Sequence, residues 1–381
     1  MPTIHWVGTG LSAIPGLRKL IGAGHTVVVW NRTVSKAQEV LGDVTSDIRA
    51  FDLAALETAL APGDVAISML PGDWHVPIAT ACLNNGAHFV SSSYISPEMR
   101  ALNEAFKAKG LVAMNEIGLD PGIDHLMAHW LVADYRASDA YHKDNALSFI
   151  SYCGGIPKIE NDFRYKFSWS PLGVLKALRS PSKSIRNFEA LDVARPWDAI
   201  SSYTAPLAAP ESFEVYPNRD SIPFMSDYQF DETWQVKEFV RGTLRLNGWS
   251  SAWRDVFDEI ETLVGPEGDA RLAEMSDQFW RDHAYADGEP DRVVLCVGLK
   301  AERDGETVYD KTYAMDAWGD DRGSAMARLV SGTVALGVEA VLAGQIAPGV
   351  CAAPSAQALV SEWMSEIDTQ AQEVHVVDAL A

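Results

Sequence analysis

The first 117 residues alternate short apolar runs with helix-patterned stretches, and this alternation leaves few folds open. The runs are TIHWV at 3–7, TVVVW at 26–30, VAISML at 65–70, HFVSS at 88–92 and LVAMNEI at 111–117. Nearly continuous apolar runs of this length are buried on both faces, as strands of a parallel sheet are when helices cover both sides. Parallel neighbours need a crossover long enough to hold a helix, and the intervening stretches supply it. The expected fold class is therefore α/β, with a Rossmann-type doubly wound parallel sheet at its start.

The chain has 381 residues, more than one hydrophobic core of roughly 250–300 residues usually serves, so a second domain is expected. From about Ser168 to Pro223 the text is rich in Trp, Tyr, Pro and Ser, and it shows no clear period. Residues 293–318 read as two strands around Asp304-Gly305, a dipeptide that tolerates the positive φ of a tight hairpin. This second domain is expected to be α+β with a mixed or antiparallel sheet. Ser324 to Ile346, apolar or small on several faces, reads as a largely buried helix.

Charge narrows the partners. Lys and Arg total 31 against 52 Asp and Glu, a formal charge of −21, which argues against nucleic acid. An anionic ligand must then be held by a few specific cations. The four cysteines, Cys82, Cys153, Cys296 and Cys351, form no C-x-x-C pair, which fits reduced cytoplasm better than a disulfide framework. No apolar run approaches the ~20 residues of a membrane span, so no membrane partner is expected.

WVGTGLSAIPGL follows the first strand. Gly8 permits a tight turn, Gly10 lets backbone approach a pyrophosphate, and Ala13 stands where the third small residue of a dinucleotide fingerprint packs helix against strand. Thr9 and Leu11 complete the loop, and the helix that follows offers free N–H groups to phosphate. The second strand ends at Asn31-Arg32-Thr33, where an NAD enzyme places a carboxylate for the ribose 2′-hydroxyl. Arg32 there, with Lys36 one helical turn on, suits a 2′-phosphate, so NADP is favoured over NAD. Methyltransferases share the opening but want an acid at this place.

SSYISPEM at 92–99, MNEIGLDPGIDH at 114–125, SYCGG at 151–155, YKFSWS at 165–170, YPNRDS at 216–221 and RGTLR at 241–245 occur in an order and spacing that resemble the NADP-dependent, glutamate-forming saccharopine dehydrogenases (saccharopine reductases). The resemblance runs from the glycine loop to RGSAMARLV. It implies a cytoplasmic homodimer of lysine metabolism that oxidises the CH–NH group of saccharopine to an imine, which water splits into L-glutamate and L-2-aminoadipate 6-semialdehyde. It also implies an NADP-binding domain formed by 1–122 and 335–381, and a substrate-binding and dimerisation domain at 123–334. By motif, Ser93 and Tyr94 are expected at cofactor and substrate, and Leu119, Asp120, Pro121 and Ser170 at the cofactor. Asp120, Arg219, Thr243, Leu244 and Arg245 are expected at the substrate. The glycine loop GTGLSAIP and the stretch 176–215 depart from the family pattern.

The chemistry is consistent with these assignments. A tricarboxylate amino acid in a chain of charge −21 calls for planar cationic forks, and Arg219 and Arg245 are such groups. Deprotonating the amine and hydrolysing the imine call for a titratable group, for which Asp120, Tyr94 and Cys153 are the candidates. Asp120 also serves as an ammonium counterion or a helix cap, and Cys153 as a small buried hydrophobe. His125 and His129 stand at i and i+4, but H-E-x-x-H is missing and the chemistry needs no metal, so no metal is expected. Two other functions compete. A related imine reductase such as carboxynorspermidine or homospermidine synthase wants acids where Arg219 and Arg245 stand, and a non-catalytic NADP-binding sensor would need neither arginine.

Overall fold

The computed structural model describes residues 2–381, which divide into two compact units. The first contains the chain up to Leu126 together with Ala327–Ile367, and the second Met127–Met326 with Asp368–Ala381.

The first unit is built on β1 (Ile4–Val7), α1 (Ile14–Gly22), β2 (Val27–Asn31), α2 (Val34–Leu41), β3 (Ile48–Ala50), α3 (Leu53–Ala59), β4 (Val65–Ser68), α4 (His75–Asn85), β5 (His88–Ser91), α5 (Pro97–Ala101), α6 (Asn103–Ala108) and β6 (Val112–Met114). Its sheet is wholly parallel, in the order β6, β5, β4, β1, β2, β3, and the strand Gly349–Cys351 adds in parallel outside β6. Every residue of β1 and β4 is buried, as the continuous apolar runs require. One of the packed layers joins Val7, Trp30, Leu56, Ile78, Phe89 and Phe106. Strand order reverses between β1 and β4, and it is at the carboxyl ends next to such a switch point that doubly wound sheets bind ligands.

Two expectations need correction here. The run 111–117 is a strand only to Met114, because Glu116 takes a left-handed φ of 54° that a strand cannot continue through. A helix–helix contact that the fingerprint does not announce is made by Gly16: a Cβ there would stand 1.9 Å from the Ser331 carbonyl oxygen, in the helix Ala325–Leu342, while Ala13 is buried as expected. Gly16 N–H donates to Ser331 Oγ at 2.8 Å, sealing the contact. Finally, the boundaries lie at Leu126 and Ala327 rather than 122 and 335, and residues 368–381 belong to the second unit. Their strand Glu373–Asp378 pairs antiparallel with the hairpin at 306–318.

The chain passes from one unit to the other within α7 (Ile123–Ala137). The second unit contains β7 (Ala146–Pro157), β8 (Ser182–Arg186), β9 (Glu189–Val193), β10 (Ser201–Ala205), β11 (Glu211–Pro217), β12 (Gln235–Leu246), β13 (Asp291–Arg303) and β14 (Glu306–Trp318). Its sheet is mixed, since β12 and β7 run parallel while β10–β11, β11–β12, β7–β13 and β13–β14 are antiparallel. Asp304 and Gly305 both have positive φ, and Arg303 pairs with Glu306 across them, the hairpin expected from that dipeptide. The Trp- and Tyr-rich stretch without a period resolves into the helix Pro171–Leu178 and strands β8 to β11. Its aromatics pack with Trp249, Trp253 and Phe257.

The helix Ala325–Leu342 is long and apolar enough to cross a membrane by length and composition, but 83% of it is buried inside the protein. It is a core helix, as Gly16 and Ser331 illustrate.

Candidate active site

In the first unit four loops meet the carboxyl ends of the strands. Gly8 leaves β1 with φ +102°, and a Cβ there would come within 3.0 Å of the Met69 carbonyl oxygen, so only glycine makes this turn without strain. Gly10 has open space around it, as a backbone that approaches a ligand requires. Leu11, at the tip of this loop, is exposed. Thr9 N–H donates to Asn31 Oδ1 at 3.3 Å, and Asn31 Nδ2 donates to the Thr33 carbonyl at 2.9 Å. Asn31 thereby ties the glycine loop to the end of β2. Arg32 and Lys36 next to it are exposed, and their side chains make no hydrogen bond or ion pair among the described residues. Two cations thus stand unpaired at the end of β2, where a 2′-phosphate is expected.

The loops after β5 and β6 are stitched together. Glu116 N–H donates to the Ser93 carbonyl at 3.0 Å, its Oε1 accepts from Ile95 N–H at 2.8 Å, and its Oε2 lies 2.9 Å from His125 Nε2. The Tyr94 hydroxyl donates to Asp120 Oδ1 at 3.0 Å. Asp120 precedes a cis proline, Pro121, and Gly122 follows with φ +146°, where a Cβ would strike Gly118. Leu119 and Pro121 are buried in this turn. The expected pair Tyr94 and Asp120 is thus brought together, and a phenol next to a carboxylate can pass or hold a proton.

Sequence reasoning missed His75, Glu116, Asp124 and the partnership of His125. Asp124 Oδ1 accepts from Gly122 N–H at 2.7 Å, and Asp124 Oδ2 lies 3.6 Å from His125 Nδ1. His125 is therefore enclosed by two buried carboxylates that shape the turn, while the His129 ring meets Tyr228 edge-on at 5.8 Å. The positive φ of Glu116 has no sequence signature outside glycine, which is why the latch could not be read.

In the second unit the candidates converge on one register of the mixed sheet. Thr243 pairs with Tyr216 of β11 on one side and Cys153 of β7 on the other. Paired residues share a face, and so do positions two apart, so Thr243, Arg245, Tyr216 and Cys153 stand together. Leu244 points the other way, into the core with Phe213, Val215 and Leu246, and only its main chain is available to a ligand on the Thr243 face. Cys153 is buried. Ser170, placed at the cofactor by motif, is exposed and caps the helix Pro171–Leu178 by accepting from Gly173 N–H at 3.2 Å. Arg219 is exposed in the turn after β11, with φ +57°.

Arg245 is 5% exposed. Its guanidinium sits 4.8 Å from the Tyr165 ring, 5.4 Å from Trp249 and 5.5 Å from Tyr216. Nη2 donates to the Tyr216 hydroxyl at 2.9 Å and Nη1 to the Leu244 carbonyl at 3.0 Å, but Nε has no partner. Among the described residues no carboxylate pairs with it. Glu214, opposite Arg245 in register, instead accepts from Gly248 and Ser250 N–H at 3.0 and 2.7 Å. A buried guanidinium without a counterion is costly unless an anion arrives to share it.

Residues 4–114 match the family model described as saccharopine dehydrogenase NADP binding domain, and residues 118–370 match that of the saccharopine dehydrogenase C-terminal domain. The chain belongs to the saccharopine dehydrogenase family. The NADP-binding match covers residues 4–114 of the first unit, and the C-terminal match covers its returning segment Ala327–Ile367. Among its relatives, saccharopine dehydrogenase [NADP(+), L-glutamate-forming] of Schizosaccharomyces pombe is 36% identical over 265 residues, covering 65% of this chain and 56% of that protein. The enzyme of the same description from Saccharomyces cerevisiae is 35% identical over 258 residues, 64% of this chain and 54% of that one. The matched part thus spans about half the length of these curated relatives. Among solved structures, apo saccharopine dehydrogenase (L-Glu forming) from Saccharomyces cerevisiae superposes with a TM-score of 0.80 at 26% identity, covering 99% of this chain and all of that one. A homospermidine synthase from Legionella pneumophila in complex with NAD shares the fold, with a TM-score of 0.67 at 11% identity over 99% of this chain and 91% of that one.

Proposed function

We propose that the chain transfers hydride between NADP(H) and the CH–NH group of saccharopine. In the oxidative direction saccharopine, NADP+ and water give L-glutamate, L-2-aminoadipate 6-semialdehyde, NADPH and a proton. The observation that carries this reading is Arg245, a buried guanidinium with an unsatisfied Nε and no carboxylate partner, in a family whose matched relatives act on a tricarboxylate.

NADP+ accepts the hydride when bound; every other task falls to the protein. Arg32, with Lys36, holds the 2′-phosphate of adenosine, and the glycine loop and the start of α1 receive the pyrophosphate. Arg245 binds a substrate carboxylate, with Tyr216 and Thr243 next to it, and Arg219 binds another. The amine must lose a proton before its C–H bond can give up hydride, and the imine must then take up water. Asp120, hydrogen-bonded to the Tyr94 hydroxyl, is the acceptor we assign to that proton. Cys153 lies one strand from Thr243 and acts through contact with the substrate. The protein is expected to work as a homodimer, checked by light scattering.

The test is direct: purified protein, saccharopine and either NADP+ or NAD+, followed by the absorbance of reduced nicotinamide. Turnover with NADP+ at higher kcat/KM than with NAD+ supports the reading. Turnover of a polyamine precursor but not of saccharopine would overturn it in favour of the related imine reductases. Tight NADPH binding with no turnover of either substrate would leave a sensor.

A further inference from the structure

Ser68 closes β4, Ser93 stands two residues beyond β5, and His75, the first residue of α4, bridges them. His75 Nδ1 is 2.9 Å from Ser68 Oγ and Nε2 is 2.8 Å from Ser93 Oγ. Ser68 is fully buried and His75 nearly so, whereas Ser93 is partly exposed. Among the described residues no carboxylate pairs with the ring, which also meets Phe89 edge-on at 6.4 Å. Burial pulls the pKa of His75 down to about 4, against a weaker opposing pull from Asp73, so the ring is neutral at any working pH.

A neutral imidazole has one N–H and one lone pair. With both nitrogens engaged, one serine must accept from the ring while the other donates to it. If Ser93 accepts, its own O–H remains to be given elsewhere; if it donates, only its lone pairs remain. The main chain of Ser93 is already held, since its N–H donates to Ser91 Oγ at 3.0 Å and its carbonyl accepts from Glu116 at 3.0 Å. What is left undetermined at Ser93 is the direction of its hydroxyl, and the ring settles that. Ser93 also lies where doubly wound sheets bind their ligand, beyond the carboxyl ends of β4 and β5.

We propose that His75 is a positioning residue: through the Ser68–His75–Ser93 bridge it sets whether the Ser93 hydroxyl donates or accepts toward the bound dinucleotide. The inference rests on reading the first unit as the NADP site. It differs from a purely structural role for His75, which requires the ring to fill space but not to touch Ser93.

Two substitutions separate these roles, because Asn places its amide near the position of Nδ1 and Gln near that of Nε2. In NADPH titrations followed by fluorescence, His75→Asn, which forfeits the Ser93 contact, is expected to weaken binding about tenfold, the scale of one hydrogen bond. His75→Gln, which keeps it, is expected to stay within about threefold of wild type. Ser93→Ala is expected to match His75→Asn, and the double variant to be no weaker than either single one. Equal effects of Asn and Gln, or additive effects with Ser93→Ala, overturn the proposal. A wild-type protein that fails to bind NADPH overturns the site reading itself, which is a different result. The wild type also gives a measurement that no folding defect can obscure. With nitrogen-15-labelled histidine, NADPH is expected to drive the His75 ring to one tautomer, and ring signals unchanged by NADPH overturn the inference.

Discussion

The anion subsite proposed for the first unit and the one proposed for the second solve the same problem in opposite ways. At Arg32 the cation is exposed, next to a loop held by Asn31, and the backbone around Gly8 and Gly10 does much of the work. At Arg245 the cation is buried among Tyr165, Tyr216 and Trp249, and side chains from three distant segments do it. An exposed cation contributes modestly and is screened by salt, whereas a desolvated one is strong for the right anion and costly without it. The first arrangement suits a group common to many ligands, and the second suits discrimination of one substrate.

The largest expected effect breaks that contrast at the buried end. Arg245→Ala is expected to lower kcat/KM for saccharopine by about a thousandfold, roughly 4 kcal/mol, as loss of a buried charge-assisted contact does. Its NADPH affinity should stay within about twofold. If NADPH binding falls as steeply as substrate turnover, the two subsites are not separable and the contrast fails.

Acid comes next. Burial lowers the pKa of His5, His75 and His88 in the first unit, and of His283 in the second. For His75 the folded value of about 4 lies below the ordinary histidine value of 6.5, so between them the unfolded chain binds a proton that the fold does not. Stability is thus complete above pH 6.5 and falls as pH drops toward 4, by about 3 kcal/mol at the lower end from this group. Urea unfolding at pH 7 and pH 4.5 should show the loss, and His75→Gln should show less of it. An unchanged loss in that variant would assign the acid sensitivity to other groups.

A smaller effect tests packing under the glycine loop. Gly16→Ala brings a methyl carbon to 1.9 Å from the Ser331 carbonyl oxygen, and is expected to cost about 2–3 kcal/mol by forcing α1 and the helix Ala325–Leu342 apart. Thermal unfolding measures it, and a wild-type midpoint would mean that the helices are free to shift. The smallest effect sharpens the exposed end: Arg32→Ala is expected to weaken NADPH binding about tenfold at low salt, less at high salt, and NADH binding hardly at all. Equal losses for both nucleotides would place Arg32 away from the 2′-phosphate.

Legibility followed locality. The glycine loop, the Arg32 turn, SSSY and LDPG each sit within a few residues of a strand end, so strand pattern and turn chemistry were enough to place them. The Asp304-Gly305 hairpin was readable for the same reason. The stretch 168–223 was not, because its strands β8 to β11 are short and its aromatics answer to partners such as Trp249 and Trp253 rather than to a period. Residues 368–381 were assigned to the wrong unit, since nothing in EVHVVD names the strand it will pair with. The contact of Gly16 with Ser331 could not be read either, because the fingerprint encodes a strand and a helix but not the second helix that crosses them.

By itself the sequence determined that a parallel sheet opens the chain, that its first turn is built for a dinucleotide, and that the end of its second strand carries Arg32 where an NAD enzyme places a carboxylate. These follow from residues near one another, through backbone sterics and the sign of one charge. Only the tertiary structure decided that Arg245 is buried without a carboxylate, that Tyr94 meets Asp120, and that His75 lies between two serines. Those facts depend on which side chains the fold removes from water together, and desolvation belongs to an assembled neighbourhood rather than to any single segment of chain.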